Sequence, residues 1–333
     1  MERAHPDMNA YIAEDFIMDT LIEQRVFGGN AGAVCEKVAA MLGRLEDRMS
    51  RFRPGSDIWA LNEAAGSGIP TPVGAETMLV LQAALSYAES SGGAFDVTAT
   101  PLSARWREAA ARGDGLAPGE EELSRDLALV GSGWLRLYPA MGTAMLEKKG
   151  AAVDLGGIAK GYAADRAAEL YRALGAEAAL INLGGNVKTM GEKPDGQPWA
   201  VGLQDPGEER GVYFGALRLR GGMSVVTSGG YERYYMIGGV KYHHIMDPVS
   251  GRPASSGLLS ATVVAEDSMG ADALSTAVFV LGRERGARML AAYPRAEAVL
   301  MDAERRLWIT PGAMDAWTPA PGYGDLRIYE LNR

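Results

Sequence analysis

Two of the chain's three histidines, His243 and His244, stand side by side in the segment KYHHIMDPVSGRP. Imidazole titrates near working pH, so a loop histidine with a carboxylate nearby, here Asp247, suits general-base work. Neighbours on an extended segment point to opposite faces, so at most one of the pair faces a site. A histidine simply satisfied within the loop is the alternative. The third, His5, lies at the N-terminal end.

Hard oxygen ligands are offered by ADALSTAVFVLG. On a helix, Asp272 and Thr276 share one face, and a carboxylate beside a hydroxyl suits Mg2+ or Ca2+. The same spacing arises where an Asp caps a helix and a Thr bonds back to a carbonyl. In DLGGIAKG (154–161), glycines come directly before a helix. Free N–H groups and the helix dipole make an anion site there, and Lys160 adds a point charge. A tight turn needing positive φ would use the same glycines. The spacings of a P-loop and of G-x-G-x-x-G are both absent.

NLGGN (182–186) and TSGGYERYY (227–235) carry glycine pairs, which fit either close approach to a ligand or a plain turn. GAFDVT (93–98) sets Asp96 beside an aromatic residue. No G-x-S-x-G nucleophile elbow and no zinc-ligand pattern occurs. The only cysteine, Cys35, falls in an apolar periodic stretch and reads as a buried structural thiol.

The elements that must position these groups follow from periodicity. Residues 14–28 read as a strand or strand pair, followed by a turn at Gly28-Gly29. Val34, Val38, Leu42, Leu45 and Met49 recur at helical spacing over 31–49, and Met78, Leu81 and Leu85 over 75–90. Pro54-Gly55-Ser56 and Pro70-Thr71-Pro72 mark loops. Residues 105–126 read as a solvated helix and loop, and 134–153 as strands around a turn at 139–142. A helix follows DLGG. Strands are expected at 178–185, 200–204, 213–220, 223–227, 259–267 and 297–302, with helices at 269–281 and 284–293. Without strict βαβ alternation, the fold class is α+β, mixed or antiparallel sheets with packed helices. Residues 1–333 form one domain, its core at about 14–310 and a tail after about 312.

Bulk properties narrow the function. With 333 residues and 47% apolar content, a sizeable core is available. A net charge of -9 with no basic stripe argues against nucleic acid as a partner. No run reaches the length of a membrane span. The start of the chain lacks a basic-then-apolar leader. As the sequence stands this gives a cytoplasmic expectation, or a periplasmic or extracytoplasmic one if an export signal has been trimmed.

The order of the motifs is more specific than any one of them. GAFDVT, VDLGGIAKGYAADRA, INLGGN, WAVGLQDP, TSGGYERYY, YHHIMDPVSGRPA and DALSTAVFVLG together closely resemble the ApbE family, the FAD:protein FMN transferases. The resemblance runs from about Phe16 to about Asp302. It implies an ApbE-like fold with the FAD site in a cleft between two lobes. It also implies a Mg2+-dependent reaction in which FMN passes from FAD to a Thr or Ser hydroxyl of an acceptor flavoprotein and AMP leaves. Some relatives hydrolyse FAD to FMN and AMP instead or as well, and a non-catalytic FAD-binding protein is the third reading.

Carried over by position, the resemblance makes Asp272, Thr276 and the Gly157 carbonyl metal ligands, and His244 the group that activates the acceptor hydroxyl. It places Met18, Phe52, Ala94, Phe95, Asp96, Asp154, Lys160 and Ile245 along the FAD site, with Gly184, Gly185 and Ser228 packing against the same ligand. Three positions depart from the family's pattern. MDT (18–20) replaces Met-Gly-Thr, and Asn186 and Gly230 stand where Asp is common. The last two remove negative charge and bear on metal number and affinity.

Overall fold

A computed structural model describes residues 10–333; His5 lies outside them. The chain runs through β1 (Tyr11–Ile17), β2 (Thr20–Phe27), α1 (Ala31–Met49), α2 (Asp57–Glu63), β3 (Thr71–Pro72) and α3 (Ala75–Ser90). Next come α4 (Thr100–Arg112), α5 (Glu120–Leu127), β4 (Leu135–Tyr138), β5 (Thr143–Leu146), α6 (Ala159–Ala173), β6 (Ala178–Leu183) and β7 (Asn186–Met190). The strands β8 (Trp199–Gln204), β9 (Tyr213–Leu219), β10 (Ser224–Gly229), β11 (Tyr234–Ile237), β12 (Val240–His243) and β13 (Leu258–Ala265) follow. The last elements are α7 (Ser268–Leu290), β14 (Glu297–Asp302), β15 (Leu307–Ile309), α8 (Pro311–Met314), β16 (Trp317–Pro319) and β17 (Ile328–Glu330).

One nine-stranded sheet, ordered β1-β2-β6-β7-β10-β13-β14-β15-β17, organises the molecule. Its pairs are antiparallel except β15 with β17. Side chains alternate across a strand, and β10 shows the consequence. Val226 enters the core beneath α7 with Ala271, Leu274 and Val278, whereas Val225 joins Val201, Leu217 and Phe214 of the three-stranded sheet β16-β9-β8. Helices thus cover one face of this part of the sheet and a small sheet covers the other. The α+β expectation holds.

The periodic helices lie where their spacing puts them. Val34, Val38, Leu42, Leu45 and Met49 of α1 are all buried, in one cluster with α3 and α6. Gly282 breaks α7 at φ 78° and ψ 177°, which separates the two helices expected there. The turn expected at Gly28-Gly29 lies between β2 and α1, and the tip of the β1–β2 pair is Met18-Asp19, since the two strands pair from Ile17↔Thr20 outward. Other expectations need correction. Residues 105–126 are not a solvated stretch: Trp106, Ala109 and Leu123 are each 1% exposed, and Trp106 Nε1 donates to the Gly251 carbonyl at 2.9 Å. The segment after 312 is built into the fold, since β16 pairs with β9, β17 pairs with β15, and Leu331 is buried. Helix α2 and the β11–β12 hairpin carry no strong periodicity and escape sequence reading. A side-chain cap marks α2, with Ser56 Oγ accepting from Trp59 N–H at 3.0 Å.

Candidate active site

Helices α6 and α7 meet with backbones in contact. A β-carbon on Gly161 would lie 2.3 Å from the Ser268 carbonyl oxygen, so only glycine permits the crossing. The approach lets each helix cap the other. Asp272 of α7 accepts at Oδ2 from Gly161 N–H at 2.9 Å, one of the amides left free in the first turn of α6. Asp165 of α6 accepts from Ser268 N–H at 3.1 Å and Met269 N–H at 2.9 Å, the free amides of α7. Lys188 of β7 completes the corner, with Nζ 3.1 Å from Asp165 Oδ1. Burial dominates at Asp165 and pushes its carboxyl up to about 6, although Lys188 pulls the other way.

Asp272 is 4% exposed. Four residues on, Thr276 Oγ1 lies 3.2 Å from Ser228 Oγ, which also touches Ser275 Oγ at 2.9 Å. The Gly157 backbone lies beside Thr276, for a methyl there would stand 3.7 Å from Thr276 Oγ1 and 3.3 Å from the Phe95 ring. A carboxylate, a hydroxyl and a nearby main-chain segment form an oxygen-only donor set, which fits Mg2+ when ligand phosphates and water supply the remaining positions. No cluster of three or more His, Cys, Asp or Glu side chains placed to hold a metal occurs among the described residues. A site with one carboxylate does not need such a cluster.

The DLGG turn is fixed from both sides. Asp154 N–H donates to the Val97 carbonyl at 2.9 Å, which joins DLGG to the GAFDVT loop. Asp154 Oδ1 accepts from Gly156 N–H at 2.9 Å, and Oδ2 pairs with Arg51 Nε at 2.7 Å. Neither Gly156 nor Gly157 has positive φ, so these glycines serve close approach and not a left-handed turn. Lys160 Nζ folds back onto the Gly156 carbonyl. The Arg51 guanidinium stacks on Phe52 at 4.2 Å, and the Phe52 ring is 61% exposed. Burial draws the Arg51 pKa down, countered by the Asp154 charge.

Within GAFDVT, Ala94 and Phe95 are buried. Asp96 holds the loop itself: Oδ1 accepts from Thr98 N–H at 2.8 Å and its hydroxyl at 2.6 Å, Oδ2 from Ser132 N–H at 2.9 Å. Gly184 and Gly185 turn with φ of 60° and 96°. A β-carbon on Gly184 would lie 2.0 Å from Thr20 Oγ1, which presses this turn against the β1–β2 tip. Thr227 N–H reaches the Gly185 carbonyl at 3.4 Å and brings TSGG alongside. Asn186 is 2% exposed, and its Nδ2 has no partner among the described residues. A β-carbon on Gly230 would lie 2.8 Å from the His243 ring, so the acidic residue common there does not fit beside His243 as it lies.

The two histidines separate as their alternation requires. His243 packs edge-on against Phe279 with centroids 5.4 Å apart, and Nε2 bonds to the Ala254 carbonyl at 2.9 Å. His244 Nδ1 lies 3.0 Å from the Arg233 carbonyl oxygen. A carbonyl only accepts, so Nδ1 carries the proton and Nε2 keeps its lone pair. Burial, with smaller repulsion from Arg233 and Lys160, lowers His244 to about 4, so the ring is neutral at pH 7. Ile245 is buried in the core beneath α7, 8% exposed.

Met18 and Asp19 each have φ of 57°. A left-handed residue with a side chain costs roughly 1–2 kcal/mol. Met18 packs on the first core cluster, and the exposed Asp19 pairs with Arg233. Contacts therefore run without a gap from Phe52 through Arg51, Asp154 and Gly156 to Lys160, and from Gly157 through Thr276 to Ser228. Arg51, Asp165 and Arg233 were missed from sequence. Their partners lie far along the chain, and no spacing rule links them.

Comparison with known proteins gives the family and the fold. The ApbE family model matches residues 18–300. An FAD:protein FMN transferase of Treponema pallidum is 34% identical over 92% of this chain and 88% of its own length. Another, from Klebsiella pneumoniae, is 35% identical over 82% and 83%. Among solved structures, an ApbE protein of Thermotoga maritima has a TM-score of 0.83 at 31% identity, covering 92% of this chain and 99% of that one. The flavin transferase ApbE of Vibrio cholerae has a TM-score of 0.80 at 25% identity with the same coverage. The chain is a member of the ApbE family.

Proposed function

We propose that this protein transfers the FMN half of FAD to a Thr or Ser hydroxyl of an acceptor flavoprotein, with Mg2+ bound and AMP released. The observation that carries the reading is the state of His244: a neutral ring, its Nδ1 proton committed to the Arg233 carbonyl and Nε2 left as acceptor. Nε2 takes the acceptor hydroxyl's proton as the oxygen attacks the FMN phosphorus. The new P–O bond forms as the bond to the AMP oxygen breaks, so hydroxyl and FAD become phosphoester and AMP.

Asp272, Thr276 and the Gly157 carbonyl are the residues that would hold Mg2+, whose chemistry is to offset charge on the pyrophosphate oxygens. Lys160, near the start of α6, adds positive charge where free amides already favour an anion. Phe52, backed by Arg51, offers an exposed face to a flat ring. Met18 and the Gly184-Gly185 turn close the flavin side.

The test is acceptor mass. Protein, FAD, Mg2+ and a candidate acceptor are incubated, and intact-mass spectrometry follows the acceptor alongside AMP. The transfer reading expects one FMN added per acceptor, less one water, with one AMP. FMN and AMP released with no gain on an acceptor known to be flavinylated by a relative would make the protein a pyrophosphatase. FAD intact after hours would make it a binder.

A further inference from the structure

Arg233 precedes β11 and serves two elements at once. Its carbonyl accepts both the backbone N–H of His244, at 3.1 Å, and the ring Nδ1–H. Its guanidinium crosses to the β1–β2 tip. There Nη1 lies 2.9 Å from Asp19 Oδ2, and Nη2 donates to the Asp19 carbonyl.

That tip needs holding. The register leaves two residues, Met18 and Asp19, to reverse the chain, and both are left-handed. Such a two-residue turn favours Asn and Gly. Here a methionine and an aspartate occupy it, and Asp19 stands where the family pattern has glycine. The Asp19 side chain that makes the turn unfavourable is also the one Arg233 grips. Both Asp19 contacts come from one planar guanidinium, a geometry that a lysine does not reproduce.

The geometry points to Arg233 as a positioning residue that ties the Met18-Asp19 turn and the His244 ring into one unit. This rests on His244 being the base of the proposed transfer. The turn sets the flavin wall, the ring sets the attacking hydroxyl, and one side chain fixes their separation.

Arg233→Ala removes the guanidinium and keeps the carbonyl. Its kcat for FMN transfer falls about tenfold, and its KM for FAD rises about threefold, as misplacement of reacting groups predicts. The acid limb of its pH profile moves upward, because a cation that disfavours imidazolium is gone. Asp19→Gly loses the ion pair but keeps the bond to the residue-19 carbonyl, so its kcat falls about threefold, less than in Arg233→Ala, while glycine holds the left-handed turn unaided. In the double variant, KM for FAD returns to within about twofold of wild type, while kcat stays low because the loop is still untethered.

Nitrogen NMR of His244 supplies a readout independent of turnover. Wild type shows a protonated Nδ1 and a bare Nε2, and Arg233→Ala shows a tautomer mixture. If His244→Ala transfers normally while this shift appears, the base reading fails and the catalytic consequence with it, while the tie of Arg233 to the turn and the ring stands. If Arg233→Ala leaves kcat, KM and the nitrogen shifts unchanged, or merely lowers Tm, the positioning role is wrong. Failure of KM to recover in the double variant is equally against it.

Discussion

The α6–α7 corner and the hairpin rim hold their functional groups by different means. At the corner, Asp272 is buried, its oxygen caps the neighbouring helix, and Asp165 returns the favour. At the rim, His244 depends on a loop carbonyl, and that loop is held by an exposed ion pair, Arg233 with Asp19. Buried, reciprocal bonds fix the corner before any ligand arrives. An exposed pair at a turn is worth less and is screened by salt. The difference teaches which groups have to be rigid. On the proposed function, the corner would hold a metal, whose ligands tolerate little displacement, and the rim would present a base to a mobile protein substrate.

Four outcomes break or sharpen the comparison. The largest is Asp272→Asn. The amide still accepts from Gly161 N–H, so stability stays within about 1 kcal/mol. Loss of the charge removes several kcal/mol of phosphate stabilisation, a fall in transfer on the order of 10^3-fold. Thermal melting beside a Mg2+ titration of turnover checks both halves. Next, His244→Ala retains FAD binding, read by flavin fluorescence, and loses about 10^2- to 10^4-fold in transfer. Unchanged transfer there means the base is elsewhere.

Asp165→Ala is third. It strips two amides of α7 of their acceptor and leaves Lys188, 9% exposed in its side chain, without its carboxylate. Unfolding free energy falls by about 2–4 kcal/mol, and Mg2+ affinity falls about tenfold, as for other residues that orient ligands. If chemical denaturation finds the variant as stable as wild type, the corner is less rigid than described.

The smallest effect is one of pH. His244 is lowered from 6.5 to about 4, so its neutral, basic form persists as pH falls. Transfer at pH 5.5 therefore keeps more than about half its pH 7 rate, where an unshifted ring would leave about a tenth as base. The sign for folding agrees. The contribution of neutral His244 is present above 6.5 and is lost as pH falls through about 4. A kcat profile with its acid limb near 6.5 overturns the burial argument.

Much of this was legible in the residues, and the limits are physical. Helical periodicity located α1 and α3 because their apolar faces pack on one core. Alternation required His243 and His244 to part. Asp272 and Thr276 could be paired by spacing, but spacing left open whether Asp272 binds or caps; it caps α6 and has a second oxygen to offer. The glycines of DLGG read equally as a left-handed turn or as close approach until their φ values removed the left-handed turn. Sequence gave no access to Asp165, Arg51 or Arg233, because contacts between distant segments leave no local pattern. The glycine pair marked the turn between β2 and α1, whereas the Met18-Asp19 tip carries no glycine and is held by an ion pair from another hairpin.

The division between corner and rim is tested most directly by metal titration. Calorimetry with Mg2+ is run on FAD-loaded wild type, Asp272→Asn and His244→Ala. The expected result is that His244→Ala binds Mg2+ as wild type does, though its transfer is strongly slowed, and that Asp272→Asn shows no saturable binding. Metal binding lost in His244→Ala, or intact in Asp272→Asn, would contradict the division.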